Sequence, residues 1–83
     1  MPYYVYILYS TSIDQYYVGQ TENVNGRIFR HNNSGSKSTK KANDWVLKYT
    51  EKFETRQEAV RRELAIKNKK SRKYIEYLVS SVG

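Results

Sequence analysis

The chain has 83 residues, a formal net charge of +7 and no cysteine. That length fits one small domain, which buries only about 60–65% of its unfolded surface. The absence of cysteine excludes disulfides, thiolate metal sites and cysteine nucleophiles, and one histidine excludes a multi-histidine metal centre within the chain.

No apolar run approaches the roughly 20 residues of a membrane span, and the N-terminus lacks a signal-peptide pattern. A cytoplasmic protein is expected. The charge is uneven, with seven basic residues against one glutamate over residues 61–73. Clustered cations and nine tyrosines suit a nucleic-acid partner, although a solvated surface would look similar.

Tyr3 to Tyr9 is aromatic and β-branched almost throughout, so it reads as a strand. Neither face is plainly polar, which suits a central strand covered on both sides. Alternation places Tyr4, Tyr6 and Leu8 on one face and Val5, Ile7 and Tyr9 on the other. Ser10 to Asp14 supplies turn formers, and Tyr16-Tyr17-Val18 reads as the second strand of a hairpin, ended by Gly19. Tyr6 and Tyr17 would stand side by side across it.

Thr21 and Asn23 are N-cap types, and Val24 and Ile28 lie four apart, so a helix spans about Asn23 to Asn32. Gly26 inside it costs about 1 kcal/mol against alanine. Arg27 and His31 neighbour each other beside the apolar stripe. An arginine there is either an exposed charge or a planar phosphate clamp, and the histidine is either a core-edge residue or a proton carrier. Gly35 to Asn43 is a polar, basic loop whose Lys37, Lys40 and Lys41 suit backbone phosphates or plain solvent. Asp44 to Phe53 is a third strand, with Trp45, Leu47 and Tyr49 on its apolar face.

Thr55 and Glu58 form a capping box, opening a helix from Arg56 to Asn68. On a helical wheel Glu63 and Lys67 fall within the arc of Ala59, Val60, Leu64 and Ile66. Charged residues are rarely placed there unless paired or bound. An i,i+4 ion pair is one explanation; a carboxylate holding a divalent cation in a polar cleft is the other. Ser71 caps a last helix with Tyr74, Ile75, Leu78, Val79 and Val82 as its stripe. Lys69, Lys70, Arg72 and Lys73 cluster at the junction and suit phosphate contacts.

Tyr4-Val5-Tyr6 followed by Tyr17-Val18-Gly19 resembles the paired signature of the GIY-YIG nuclease superfamily, with Tyr4 in place of the first glycine. The closest likeness is to small single-domain, excinuclease-C-like proteins of the UPF0213 type. In that superfamily an arginine and then a histidine or tyrosine four residues later follow the second triplet on a helix, as Arg27 and His31 do. A glutamate on the helix after the third strand is its metal ligand, and Glu63 with Lys67 matches that placement.

The resemblance covers nearly the whole chain. It implies an α+β fold, a three-stranded antiparallel sheet flanked by helices in the order β-β-α-β-α-α. It also implies a nuclease hydrolysing phosphodiester bonds with one Mg²⁺ or Mn²⁺ held by Glu63, acting on DNA rather than RNA. Tyr6, Tyr17, Arg27, His31 and Glu63 would converge on one side of the sheet. Arg27 would stabilise phosphoryl charge, either Tyr6 or Tyr17 would serve as general base, and His31 would assist. Lys37, Lys40, Lys41, Lys67, Lys69, Lys70, Arg72 and Lys73 would bind nucleic acid. Two other readings fit the same residues: a nucleic-acid-binding module without catalysis, and a structural domain whose tyrosines are all core.

Overall fold

A computed structural model describes residues 1–33 and 39–81 of the chain. The order is β1 (Tyr3–Ser10), β2 (Gln15–Thr21), α1 (Val24–Asn33), β3 (Trp45–Phe53), α2 (Arg56–Asn68) and α3 (Arg72–Ser80). This is the expected β-β-α-β-α-α arrangement. The strands form one antiparallel sheet in the order β2-β1-β3. No helix among the described residues is long and apolar enough to cross a membrane. Val82 and Lys37 lie outside the described residues.

The central place of β1 explains its composition. Val5 and Ile7 pack with Val18 of β2, with Ala59 and Ile66 of α2 and with Leu78 of α3. On the other face Tyr6, Leu8 and Trp45 pack with Tyr17, with Ile28 of α1 and with Ala42. Helices thus cover both faces, and a strand covered on both faces carries apolar side chains at every position.

Three expectations about facing residues are corrected. Tyr6 is paired across the hairpin with Gly19, and Tyr17 with Leu8, so the two tyrosines are diagonal neighbours. In β3, Ile7 pairs with Tyr49 and Leu8 with Leu47, leaving Lys48 as an unpaired bulge residue. One extra residue reverses the alternation beyond it. Trp45 and Leu47 therefore share the side of Leu8, whereas Tyr49 and Phe53 share that of Ile7. In α2, contact with the sheet runs along Ala59 and Ile66, so Leu64 points outward and is 52% exposed. The buried arc is narrower than the hydrophobic pattern.

Local chemistry fixes the helix ends. Asn23 caps α1, its Oδ1 accepting from Gly26 N at 3.0 Å, and a Cβ at residue 26 would lie 2.6 Å from the Asn23 side chain. The glycine gives room to the cap. Asn32 near the end of α1 bridges to β3: its amide donates to Trp45 O at 3.0 Å and accepts from Trp45 N at 2.7 Å. Thr55 and Glu58 form both halves of the capping box, and Ser71 accepts from Tyr74 N.

Candidate active site

The site begins with a missing side chain. Because Gly19 is the cross-strand partner of Tyr6, the phenol lies over the glycine backbone, and a Cβ there would sit 2.6 Å from the Tyr6 hydroxyl. The hydroxyl is 3.0 Å from His31 Nε2, and His31 Nδ1 is 2.8 Å from Thr39 Oγ1. Trp45 Nε1 donates to Thr39 O at 2.9 Å, tying that loop residue to β3. The Tyr17 ring completes the cluster, 4.8 Å from the His31 ring and 6.2 Å from that of Tyr6 between centroids.

Burial sets the electrostatics. Tyr6 is 2% exposed. Desolvation first, and then the neighbouring Tyr17 phenol, push its pKa well above the usual phenolic value; Glu63 adds to the rise and Arg27 opposes it. His31 is 4% exposed. Desolvation, followed by the charges of Arg27 and Arg30, holds its imidazole below the ordinary value. A neutral imidazole donates at one ring nitrogen and accepts at the other, which suits a chain from Tyr6 through His31 to Thr39.

The charged residues frame this aromatic group. Arg27, on the exposed side of α1, makes no ion pair with any described residue. It lines a small cavity of about 250 Å³ with Gln20, Thr21, Glu22, Asn23 and Arg56. Glu63 is mostly covered, its side chain 17% exposed, and its Oε2 accepts from Lys67 Nζ at 2.5 Å. Lys67 Nζ also stands 5.9 Å from the centroid of the Tyr17 ring. The i,i+4 pair, one of the two explanations for that placement, is therefore present.

Four of the five expected residues share a face: Tyr6 and Tyr17 on the sheet, Arg27 and His31 on the helix that covers it. Glu63 does not, which corrects the expectation of a single side. It belongs to α2, which packs on the opposite face through Ala59 and Ile66. The two layers meet at the open edge of β2, where Lys67 reaches Tyr17 and the Glu63 charge acts on Tyr6.

Among the described residues no group of three or more histidine, cysteine, aspartate or glutamate side chains could hold a metal ion. Glu63 is a lone carboxylate. Its Oε1 takes no hydrogen bond from a described residue. A hard divalent cation completed by water and substrate phosphate fits such a donor set.

The expected nucleic-acid contacts divide into free and committed groups. Lys40, Lys41, Lys70 and Lys73 are exposed. Lys67 is bound to Glu63, and Lys69 lies 5.2 Å over the Tyr74 ring. Arg72 binds Asp14 and Glu76 and covers the Tyr16 ring. Sequence reasoning missed Thr39 and the steric role of Gly19. Strand register would have revealed Gly19 opposite Tyr6; nothing in the polar loop marks Thr39 as buried.

The model of the GIY-YIG catalytic domain family matches residues 2–75. A UPF0213 protein of Staphylococcus haemolyticus is 44% identical over 66 residues, spanning 78% of this chain and 79% of that protein. One from Halobacterium salinarum is 38% identical over 66 residues, covering 78% and 84%. The solution NMR structure of a UPF0213 protein from Bacillus halodurans is 37% identical, covers 96% of this chain and 84% of its own, and superposes with a TM-score of 0.59. With that model matched over most of its length, the chain belongs to the GIY-YIG catalytic domain family.

Proposed function

We propose that this protein is a divalent-metal-dependent nuclease of the cytoplasm that hydrolyses phosphodiester bonds of DNA. The observation that carries the reading is the meeting of Tyr6, Tyr17 and His31 in one ring cluster on which Arg27 and Glu63 both act. Family membership supplies the reaction class.

Hydrolysis of a phosphodiester needs a deprotonated water, stabilised phosphoryl oxygens and a neutralised leaving oxygen. Arg27, exposed and without an ion pair among the described residues, clamps the phosphate through its planar guanidinium. Tyr17 is the phenol that meets the attacking water: it is only partly buried, and its hydroxyl bonds to no described residue. Tyr6 holds His31, and that neutral imidazole helps organise the proton path around Tyr17. Glu63 would hold one Mg²⁺ or Mn²⁺, which when bound supplies charge stabilisation at the phosphoryl and leaving oxygens.

The Glu63–Lys67 ion pair favours the rival reading, a nucleic-acid-binding module without catalysis. An assay on single-stranded, duplex and branched substrates with Mg²⁺, Mn²⁺ or EDTA separates the two. Cutting that requires the metal supports the nuclease; binding without cutting under every condition supports the rival.

A further inference from the structure

The seven basic residues of 61–73 are not equally available. Arg62 is committed to Glu51 through two bonds of 2.9 and 3.0 Å, Lys67 to Glu63, and Arg72 to Asp14 and Glu76. Arg61, Lys70 and Lys73 are exposed and make no ion pair with a described residue. Of these three, Lys70 lines a cavity.

That cavity is a cleft of about 550 Å³ between β2 and the α2–α3 junction, walled by Tyr16, Tyr17, Lys67, Lys70, Arg72 and Ile75. Its one acid, Asp14, is paired with Arg72, which donates to the carboxylate at 2.6 Å and to the Asp14 backbone carbonyl at 3.0 Å. The cleft is left cationic, with aromatic and aliphatic walls. Lys70 occupies the left-handed region, with φ 48°, a conformation uncommon outside glycine and asparagine that here forms the corner between the two helices. Through Tyr17 and Lys67 the cleft is continuous with the candidate active site. Its volume lies within the range of pockets that take one small ligand.

We propose that this cleft is the subsite for the nucleotide next to the scissile phosphate. Lys70 holds the backbone phosphate, and the sugar and base lie against Tyr16, Ile75 and the fixed guanidinium of Arg72. Positive charge, flat walls and continuity with Tyr17 match one unit of a nucleic-acid strand. This assignment rests on the nuclease reading.

The test is binding of fluorescein-labelled oligothymidylate, and of a labelled duplex, in EDTA across a salt series. Lys70→Asn removes the charge while suiting the backbone, and Arg61→Gln removes an equal charge outside the cleft. Lys70→Asn is expected to bind severalfold more weakly at low salt. Its plot of log K against log salt should be shallower by about 0.7 on the single strand or about 0.9 on the duplex, the value for one lost phosphate contact. Arg61→Gln should keep the wild-type slope. A wild-type slope in Lys70→Asn, or an equal change in Arg61→Gln, overturns the subsite while leaving the nuclease reading intact. A wild-type protein with no affinity for either probe overturns both.

Discussion

Gly19 lies directly across the hairpin from Tyr6, and its missing side chain is the space that the Tyr6 hydroxyl occupies. A methyl group at residue 19 would meet both the hydroxyl oxygen at 2.6 Å and the adjoining ring carbon at 2.7 Å. The phenol is buried, so it has little freedom to yield. Gly19→Ala should cost about 1–3 kcal/mol, the usual penalty for overpacking. It should also break the Tyr6–His31 hydrogen bond. Urea unfolding gives the first quantity, and the His31 ring resonances report the second. A variant with unchanged stability and unchanged histidine resonances would show that the two residues are not in contact.

The pH dependence follows from His31. Its pKa in the fold lies below the ordinary 6.5, chiefly through burial. Below about pH 6.5 the unfolded chain therefore binds a proton that the folded chain resists. The resulting stability is complete above that pH and declines as pH falls toward the folded value. Unfolding free energy should drop as pH falls below about 6.5 in the wild type, with a flatter profile in His31→Gln. An NMR titration of His31 with a midpoint at or above 6.5 would contradict the assignment.

Lys67 holds Glu63 through an i,i+4 bond at 2.5 Å, with the lysine side chain 44% exposed. An i,i+4 helix pair contributes only about 0.3–0.5 kcal/mol. Lys67→Met should accordingly change stability little. It should tighten Mn²⁺ binding to Glu63, because the ammonium no longer competes for the carboxylate. Manganese EPR on the resting protein reads this without any turnover. Unchanged or weaker Mn²⁺ binding would mean that the lysine does not compete with the ion.

Arg27 makes no ion pair with a described residue and acts on both Tyr6 and His31. Its removal in Arg27→Ala should slow cleavage by about 10²–10³ with little change in stability, as for other donors to developing charge. A loss confined to KM would place the arginine in binding alone.

Much of this fold is legible in the residues themselves. The apolar run of β1, the Thr55–Glu58 capping box and the Ser71 cap each carry their own local chemistry, and each is where the pattern puts it. The bulge at Lys48 is not legible, because an unpaired residue leaves no mark in composition and shows only in the pairing of two strands. Thr39 is hidden for a similar reason. It sits in a run of lysines and small polar residues yet is fully buried, bonded to His31 of α1 and Trp45 of β3, the elements on either side of the loop. Glu63 stood out because an acid shared an arc with Ala59 and Ile66. That arc does turn toward the sheet, but the exposed Leu64 shows that its width was overread.

The most direct test is single-turnover cleavage of labelled DNA by wild type and Glu63→Gln, each with Mn²⁺ or EDTA and each matched for thermal stability. The proposed chemistry predicts cutting by the wild type only with the ion, and background rates for Glu63→Gln although its fold is intact. Cleavage by Glu63→Gln at the wild-type rate, or undiminished cutting in EDTA, would contradict it.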